Sequence, residues 1–357
     1  MKTEDQIKYL AEGDCLLVEA MKIIDQNTKG IIFVVNKERT LLGVLTDGDI
    51  RRWIIKTGKL DVQIHQIMNP NPKFVYEESI STADQLFEKN KITALPVLNN
   101  LGKVEDIVFN HGMNRNEFKQ KKVLEGIPVV IMAGGKGTRL YPYTKILPKP
   151  LIPIGEIPII ERIFQQFAGF GTKDFWVTVN YKKNMIMSYF ADVAKNYEIH
   201  YVEENSPLGT GGSLHLIQDD FQKPIIVTNC DILIEADYED IYKHHLSSGN
   251  KMTIVTALKN IIVPYGVVHP QENGAIVSME EKPKISYFVN TGFYIINQEV
   301  IQKIPKNQFF HMTDLADLLM KEGERVGMYP ISEDSFLDMG EFEEMHRMEE
   351  KLERIME

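Results

Sequence analysis

Cysteine is nearly absent: 357 residues hold two, Cys15 and Cys230, and the segmentation below puts them in different domains. Neither a disulfide framework nor a zinc knuckle can be built from such a pair, and the expectation is two buried thiols. An excess of basic charge is missing too. Fifty Asp and Glu face 40 Lys and Arg, a formal charge of −10, which excludes a general attraction to nucleic acid or to an anionic membrane surface. Any phosphate binding therefore has to be local. No apolar run approaches membrane-spanning length. The first residues alternate charge and polarity (Lys2, Glu4, Asp5, Lys8) instead of forming the apolar core of a signal peptide. The expectation is a soluble, cytoplasmic chain without a membrane or nucleic-acid partner.

What is present is a globular balance, 43% hydrophobic and 25% charged. At ~150 residues per domain the length suggests two unequal domains. In the first part a helical pattern through Val18, Met21, Ile24 and Asp25 precedes short apolar runs at Gly30–Val35 and Leu41–Leu45, which read as strand, turn and strand. The order recurs: a helical pattern at Ser81–Asn90, then LPVL at 95–98, a turn, and VEDIVF. A repeat of about 60 residues follows, placing a small α+β pair at 1–120 with halves near 1–60 and 61–120. The polar stretch His111–Lys122 separates it from a domain at 126–357. There apolar strands (IPVVIMA at 127–133, FWVTVN at 175–180, PIIVTNCDILI at 224–234, MTIVTAL at 252–258) alternate with helices such as Ile159–Phe170, the pattern of an α/β fold with a mainly parallel sheet. Helical spacing of Phe342, Met345, Met348, Leu352 and Ile355 predicts a closing helix.

The segment VVIMAGGKGTRLYPYTKILPKPLIPI, 129–154, joins a buried strand to a glycine-rich turn and then to closely spaced cations. Gly134, Gly135 and Gly137 let backbone amides approach oxygens with no Cβ in the way. Arg139 offers a fork of charge-assisted hydrogen bonds to phosphate and Lys149 a point charge. The dinucleotide fingerprint needs a third glycine where Leu140 stands, and the Walker loop needs Lys-Ser/Thr after its last glycine, so both fail. A mere strand-to-helix turn would leave Lys136, Arg139, Lys145 and Lys149 crowded without reason.

GGKGTRLxPxTxxxPKPLxPI closely resembles the signature of sugar-nucleotide pyrophosphorylases, the NDP-sugar nucleotidyltransferases, and the resemblance runs to the C-terminus. It implies a Rossmann-like, GT-A-like nucleotidyltransferase domain in which helices flank the sheet. It also implies that Ala133, Gly134, Gly135, Gly137 and Thr138 bind the nucleotide, that Arg139 binds the triphosphate, and that Lys149 lies near the reacting phosphate. Asp231, in IIVTNCDILI, and Asp338, in FLDMGEFEEM, match the family's two metal-holding aspartates. Their hard carboxylate oxygens suit Mg²⁺, which takes few protein ligands. Taken alone, Asp231 could cap the following turn and Asp338 could pair with a lysine.

SMEEKPK resembles the family's sugar-phosphate motif, giving Lys282 the phosphate and Glu281 the sugar hydroxyls. An anionic nucleophile approaching a triphosphate needs such a cation. VPYGVV at 263–268 and VNTGFYII at 289–296 resemble the loop and strand of the sugar pocket, nominating Tyr265, Gly266, Asn290 and Thr291. The implied reaction is in-line attack of a sugar 1-phosphate on the α-phosphorus of a nucleoside triphosphate, releasing pyrophosphate and needing no side-chain nucleophile. His244 and His245 lack further ligands and read as a solvated helix face.

VEENSPLGTGGSL, 202–214, resembles the base-binding loop, with Gly209 and Gly211 allowing close approach and Glu204 at the base edge. A carboxylate there can accept two hydrogens from guanine, which favours GTP. The domain order resembles that of bacterial surface-sugar enzymes, so the expected product is a GDP-linked amino sugar, for instance from glucosamine 1-phosphate. Mannose, glucose or heptose 1-phosphate, and UTP or dTTP, remain alternatives. GVLTDGDIRR, 43–52, resembles the end of a CBS motif, in which Thr46 and Asp49 would bind an adenine nucleotide. The second repeat, VEDIVFNHG, has no T-x-x-D. A regulatory module, a homo-oligomer, and the competing reading of an inactive nucleotide-sensing subunit complete the expectations.

Overall fold

The computed structural model describes residues 8–27, 29–110, 122–217, 219, 221–340 and 342–356, and the side chains of residues 343 and 352–356 are outside the description. The chain divides into two compact units, Met1–Glu117 and Phe118–Glu357. The polar stretch read as a linker lies almost wholly outside the described residues. Among the described residues no helix is long and apolar enough to cross a membrane.

The first unit holds two three-stranded sheets built alike. In one, β1 (Leu10–Glu12) runs parallel to β2 (Ile31–Val35), which turns back on β3 (Leu41–Thr46). In the other, β4 (Val75–Tyr76) runs parallel to β5 (Ala94–Leu98), which turns back on β6 (Val104–Phe109). The β-bulge falls at the same place in both hairpins, at Val34/Val35 and at Val97/Leu98. All five residues of β2 and of β5 are buried. Ile31, Phe33 and Val35 share a core with Ala94, Leu98, Val104 and Ile107, so each half covers the apolar face the other cannot bury alone. Helix α1 (Leu17–Asn27) and helix α2 (Asp47–Thr57) flank the first sheet, and α3 (Ala83–Asn90) belongs to the second half. Cys15 is half-buried, against the expectation of two buried thiols; Cys230 in the second unit is buried.

The second unit is built on a seven-stranded sheet. Its strands are β7 (Val129–Ala133), β10 (Asp174–Val179), β11 (Glu198–Glu203), β12 (Ile225–Asn229), β14 (Met252–Ile262), β17 (Lys284–Ile296) and β18 (Val326–Ile331). They lie in the order β11-β10-β7-β12-β17-β14-β18, with β17 alone antiparallel to its neighbours. Two short ribbons add β8 (Pro153–Ile154) with β9 (Ile157–Pro158), and β13 (Ile232–Ile234) with β19 (Phe336–Asp338). β15 (Gly266–Pro270) and β16 (Ile276–Glu281) form a separate exposed hairpin.

Both faces of the sheet are covered, which is why β7 is apolar at every position rather than alternating. Val129, Ile131 and Ala133 point to one side, against Ile160, Ile163, Phe164 and Phe167 of α5 (Ile159–Gly169). Val130 and Met132 point to the other, against Met312, Leu315 and Leu319 of α8 (Met312–Lys321). The short α4 (Tyr143–Ile146) precedes α5, and α6 (Lys183–Asp192) and α7 (Tyr238–Ser248) come between α5 and α8. Asp237 caps α7 by accepting from the amides of Glu239 and Asp240. The closing helix is α9 (Phe342–Met356), whose Met348 is fully buried; the expected contributions of Leu352 and Ile355 lie outside the described side chains.

Candidate active site

The C-terminal ends of β7, β10, β11 and β12 share one edge of the sheet, since the four strands are parallel. Loops leaving that edge carry the predicted nucleotide residues, the usual place for a ligand in such a sheet. Ala133 ends β7 and is buried, whereas Gly135, Lys136, Thr138 and Arg139 beyond it are exposed. Gly137 has φ 63°, the left-handed region. A Cβ there would lie 3.0 Å from both Lys149 Cβ and Thr144 Cγ2. The buried Thr144 hydroxyl donates to the Gly137 carbonyl at 2.9 Å, locking the turn from beneath. Sequence reasoning passed over Thr144, whose role depends on a contact seven residues away.

The apolar stretch 224–234, read as one strand, is two. β12 stops at Asn229 and β13 starts at Ile232 in a different ribbon, and Asp231 stands at the break between them. β13 pairs antiparallel with β19 in the register Ile232↔Asp338, and the Met339 amide donates to the Asp231 carbonyl at 2.9 Å. That pairing brings the two aspartates together. Lys149, on a tight turn whose Pro150 and Leu151 are buried, ion-pairs with Asp231. The Asp338 carboxyl is pushed up to about 6, first by burial and then by the Asp231 charge, while Lys149 and Arg139 pull it back. Arg139, Lys149, Asp231 and Asp338 thus act on one another in one place.

Glu204 follows β11 and is 6% exposed. Its Oε2 accepts from the Leu208 amide at 3.3 Å, and a Cβ added at Gly134 would meet its Oε1 at 2.6 Å. Burial raises its pKa; the Leu208 amide and the nearby Thr178 and Ser213 hydroxyls partly offset this. Neither hydroxyl sits in good hydrogen-bond geometry, and both are buried without another partner. Asn180 donates to the Glu204 carbonyl at 2.9 Å, a support that sequence reasoning missed. Gly209 and Gly211 were expected to admit a base closely. On the side where a Cβ would stand, the chain itself lies close: a Cβ on Gly209 would lie 2.6 Å from the Phe310 carbonyl oxygen, and one on Gly211 3.0 Å from His311.

The sugar-side residues form a second group. Gly266 pairs with Glu281 across the hairpin, and the Lys282 amide donates to the Tyr265 carbonyl at 3.3 Å. Tyr265, Gly266, Glu281 and Lys282 are all exposed, and Lys282 has φ 48°. Asn290 donates to the Tyr294 hydroxyl at 2.8 Å and accepts from the Gly292 amide at 2.9 Å. Thr291 requires a correction. It is buried and its hydroxyl donates to the Val255 carbonyl at 2.8 Å, so the side chain pins β17 to β14 instead of facing a pocket. Period-two alternation along β17 turns it inward when Asn290 is turned out. Among the described residues no hydrogen bond or ion pair joins this group to Asp231 and Asp338.

The histidines differ from expectation as well. His245 is 2% exposed, with its ring nitrogens bonded to Thr253 Oγ1 at 2.8 Å and Asn297 Oδ1 at 3.0 Å, and burial lowers its pKa. It is a core residue of α7, and His244 packs on the Tyr329 ring. Asp174, Glu198 and His200 place ligand atoms within 4.8 Å of one another, but at the starts of β10 and β11, the edge opposite the loops. In the first unit, Thr46 and Asp49 close a capping box on α2, with the Thr46 hydroxyl donating to Asp49 Oδ2 at 2.6 Å.

Comparison with known proteins adds to this geometry. The family profile described as nucleotidyl transferase matches residues 128–355, most of the chain. The chain belongs to the nucleotidyl transferase family. A CBS domain profile matches residues 11–56, and the second sheet, with the same strand order, completes a CBS pair. A UTP–glucose-1-phosphate uridylyltransferase of Synechocystis is 33% identical over 232 residues, covering 59% of this chain and 59% of that protein. A mannose-1-phosphate guanyltransferase of Schizosaccharomyces pombe is 35% identical over 184 residues, covering 49% of this chain and 51% of that protein. The nucleotidyl transferase chain thus spans little more than half the length of these curated relatives. A solved structure from Bacillus anthracis, provisionally named a glucose-1-phosphate thymidylyltransferase, covers 63% of this chain and 94% of its own at a TM-score of 0.51 and 22% identity, a likeness of fold alone.

Proposed function

We propose that this protein is a sugar 1-phosphate nucleotidyltransferase that converts a nucleoside triphosphate and a sugar 1-phosphate into an NDP-sugar and pyrophosphate. The observation that carries the reading is the convergence of Arg139, Lys149, Asp231 and Asp338 beside a glycine turn at the C-terminal edge of the sheet. Among the described residues Arg139 and Lys136 have no hydrogen bond or ion pair, which leaves both cations available to a polyanion. In this reading Gly135, Gly137 and Thr138 line the triphosphate, Arg139 clamps it, and Lys149 neutralises charge at the α-phosphate. Lys282 and Glu281 on the hairpin, with Tyr265, Gly266 and Asn290, take the sugar phosphate; the group is open to solvent until a substrate covers it.

Two neighbouring carboxylates, one with its proton affinity raised by burial and by the charge of the other, form an oxygen donor set with an excess of negative charge, and this fits Mg²⁺. Asp231 and Asp338 would hold the ion, which when bound supplies charge neutralisation to the phosphates. The catalytic contribution of the chain itself is positioning and electrostatics rather than covalent chemistry.

For the base, the reading is GTP. Glu204 offers a buried carboxylate beside Gly134, and an acceptor of that kind suits the N1 and N2 hydrogens of guanine. The mannose-1-phosphate guanyltransferase relative supports the same base. For the sugar, the reading is an amino sugar such as glucosamine 1-phosphate, argued from domain order. The CBS pair is read as a regulatory module binding an adenine nucleotide, with Thr46 and Asp49 holding the end of α2 in shape for it.

The test is pyrophosphate release across four ribonucleoside triphosphates and dTTP against several sugar 1-phosphates with Mg²⁺, repeated for Asp231→Asn. Release confined to GTP with glucosamine 1-phosphate, and lost by at least ~100-fold in the variant, is the expected result. Preference for another base or sugar removes the specificity reading and leaves the reaction class. No release from any pair overturns the transferase and favours a nucleotide sensor.

A further inference from the structure

Lys149, to which the proposed reaction assigns the phosphates, is engaged with Asp231. Its side chain is 11% exposed and its partner, Asp231, 15% exposed, so the ion pair is largely shielded from water. The stem is pinned too. Lys149 Cβ and Cδ lie 3.0 and 3.4 Å from where a Cβ on Gly137 would stand, directly under the glycine turn, and Pro150 and Leu151 anchor the backbone. The part of the side chain left without such a neighbour is its end, which carries the ammonium paired with Asp231.

Two carboxylates brought together by the β13–β19 pairing need a counter-charge before any metal arrives. Lys149 is the lysine in contact with Asp231. We infer that the Lys149 ammonium is a built-in counter-ion that takes the cation position at Asp231 and competes there with a divalent metal. The free protein therefore binds metal weakly. Metal and nucleotide enter together: the metal takes over Asp231 and the released ammonium turns to the phosphates above the glycine turn. One residue thus balances the charge of the carboxylates and also serves the substrate. This rests on the reading of Asp231 and Asp338 as the metal ligands.

The experiment is Mn²⁺ binding to the full, nucleotide-free chain, followed by the electron paramagnetic resonance signal of free Mn²⁺, for the wild type, Lys149→Met, Lys149→Gln, Lys149→Arg and Lys149→Met with Asp231→Asn. Loss of a shielded ion pair is expected to tighten Mn²⁺ binding by about tenfold in the Met and Gln variants. Arg, which keeps the charge, should stay near the wild type, and adding Asp231→Asn should abolish the gain. Circular dichroism confirms that each variant is folded, and the Met and Gln variants check each other. Equal or weaker binding by folded Met and Gln variants, with binding still dependent on Asp231, overturns the counter-ion and leaves the metal site standing. No Mn²⁺ binding by any variant overturns both.

Discussion

Replacing Gly134 by alanine tests the junction between the glycine loop and Glu204. The new Cβ would stand 2.6 Å from Glu204 Oε1 and 3.0 Å from both Cδ and Oε2. An ordinary contact is about 3.4 Å or more, so the carboxylate has to retreat by nearly 1 Å, the scale at which overpacking costs about 1–3 kcal/mol. Retreat is opposed on several sides. The Leu208 amide donates to Oε2 at 3.3 Å, the Glu204 amide donates to the Val179 carbonyl at 2.9 Å, and Asn180 holds the Glu204 carbonyl at 2.9 Å. In a unit of this size that cost lowers the midpoint of thermal unfolding by roughly 2–12 °C. The assay is calorimetry of the full chain, following the transition of the larger unit, for Gly134→Ala, Glu204→Ala and the double variant. Truncating Glu204 makes room, so Gly134→Ala should be close to neutral in that background, with a coupling of about 1–3 kcal/mol. A Gly134→Ala cost below ~0.5 kcal/mol, or an equal cost in both backgrounds, would refute the contact as the reason for glycine at this position.

Other consequences follow from the same structure. Asp338, pushed up to about 6 from 3.8, binds its proton more tightly folded than unfolded. Its stabilising contribution to the metal-free protein is full below about pH 4 and lost as pH rises through about 6. Asp338→Asn should flatten that window in denaturant titrations and be more stable than the wild type at pH 7 by ~1–3 kcal/mol; parallel pH profiles for the two proteins would count against it. Phe164 is fully buried, with its ring 4.7 Å from Phe175 and 5.1 Å from Phe190, and Phe164→Ala should cost ~3–5 kcal/mol in chemical denaturation. A loss below ~1 kcal/mol would mean that this side of the sheet collapses around the cavity.

Features that depend on short stretches were legible in the sequence. The apolar runs of β7, β10 and β14 and the helical spacing of α5 announce a layered sheet because strands covered on both faces carry mostly apolar residues. The glycine turn and its cations are contiguous for the same reason: one backbone segment forms the turn, and its neighbours in sequence are its neighbours in space. The doubled strand order of the first unit shows as a repeat because each half is one local motif.

What depends on which face a residue turns, or on a partner far along the chain, was decided by the tertiary fold. Thr291 and His245 stand in polar-looking surroundings, yet packing turns both inward and supplies partners at Val255, Thr253 and Asn297. At Gly209 the Phe310 backbone, about a hundred residues away in sequence, leaves no room for a Cβ. Asp231 and Asp338 meet because two three-residue strands more than a hundred positions apart pair in one register, and a slip by one residue would separate them. The sequence by itself determined the chain's elements and the chemical groups they carry. Their convergence required long-range pairing, because the distance between two side chains is set by the path of the backbone between them and by what that path packs against.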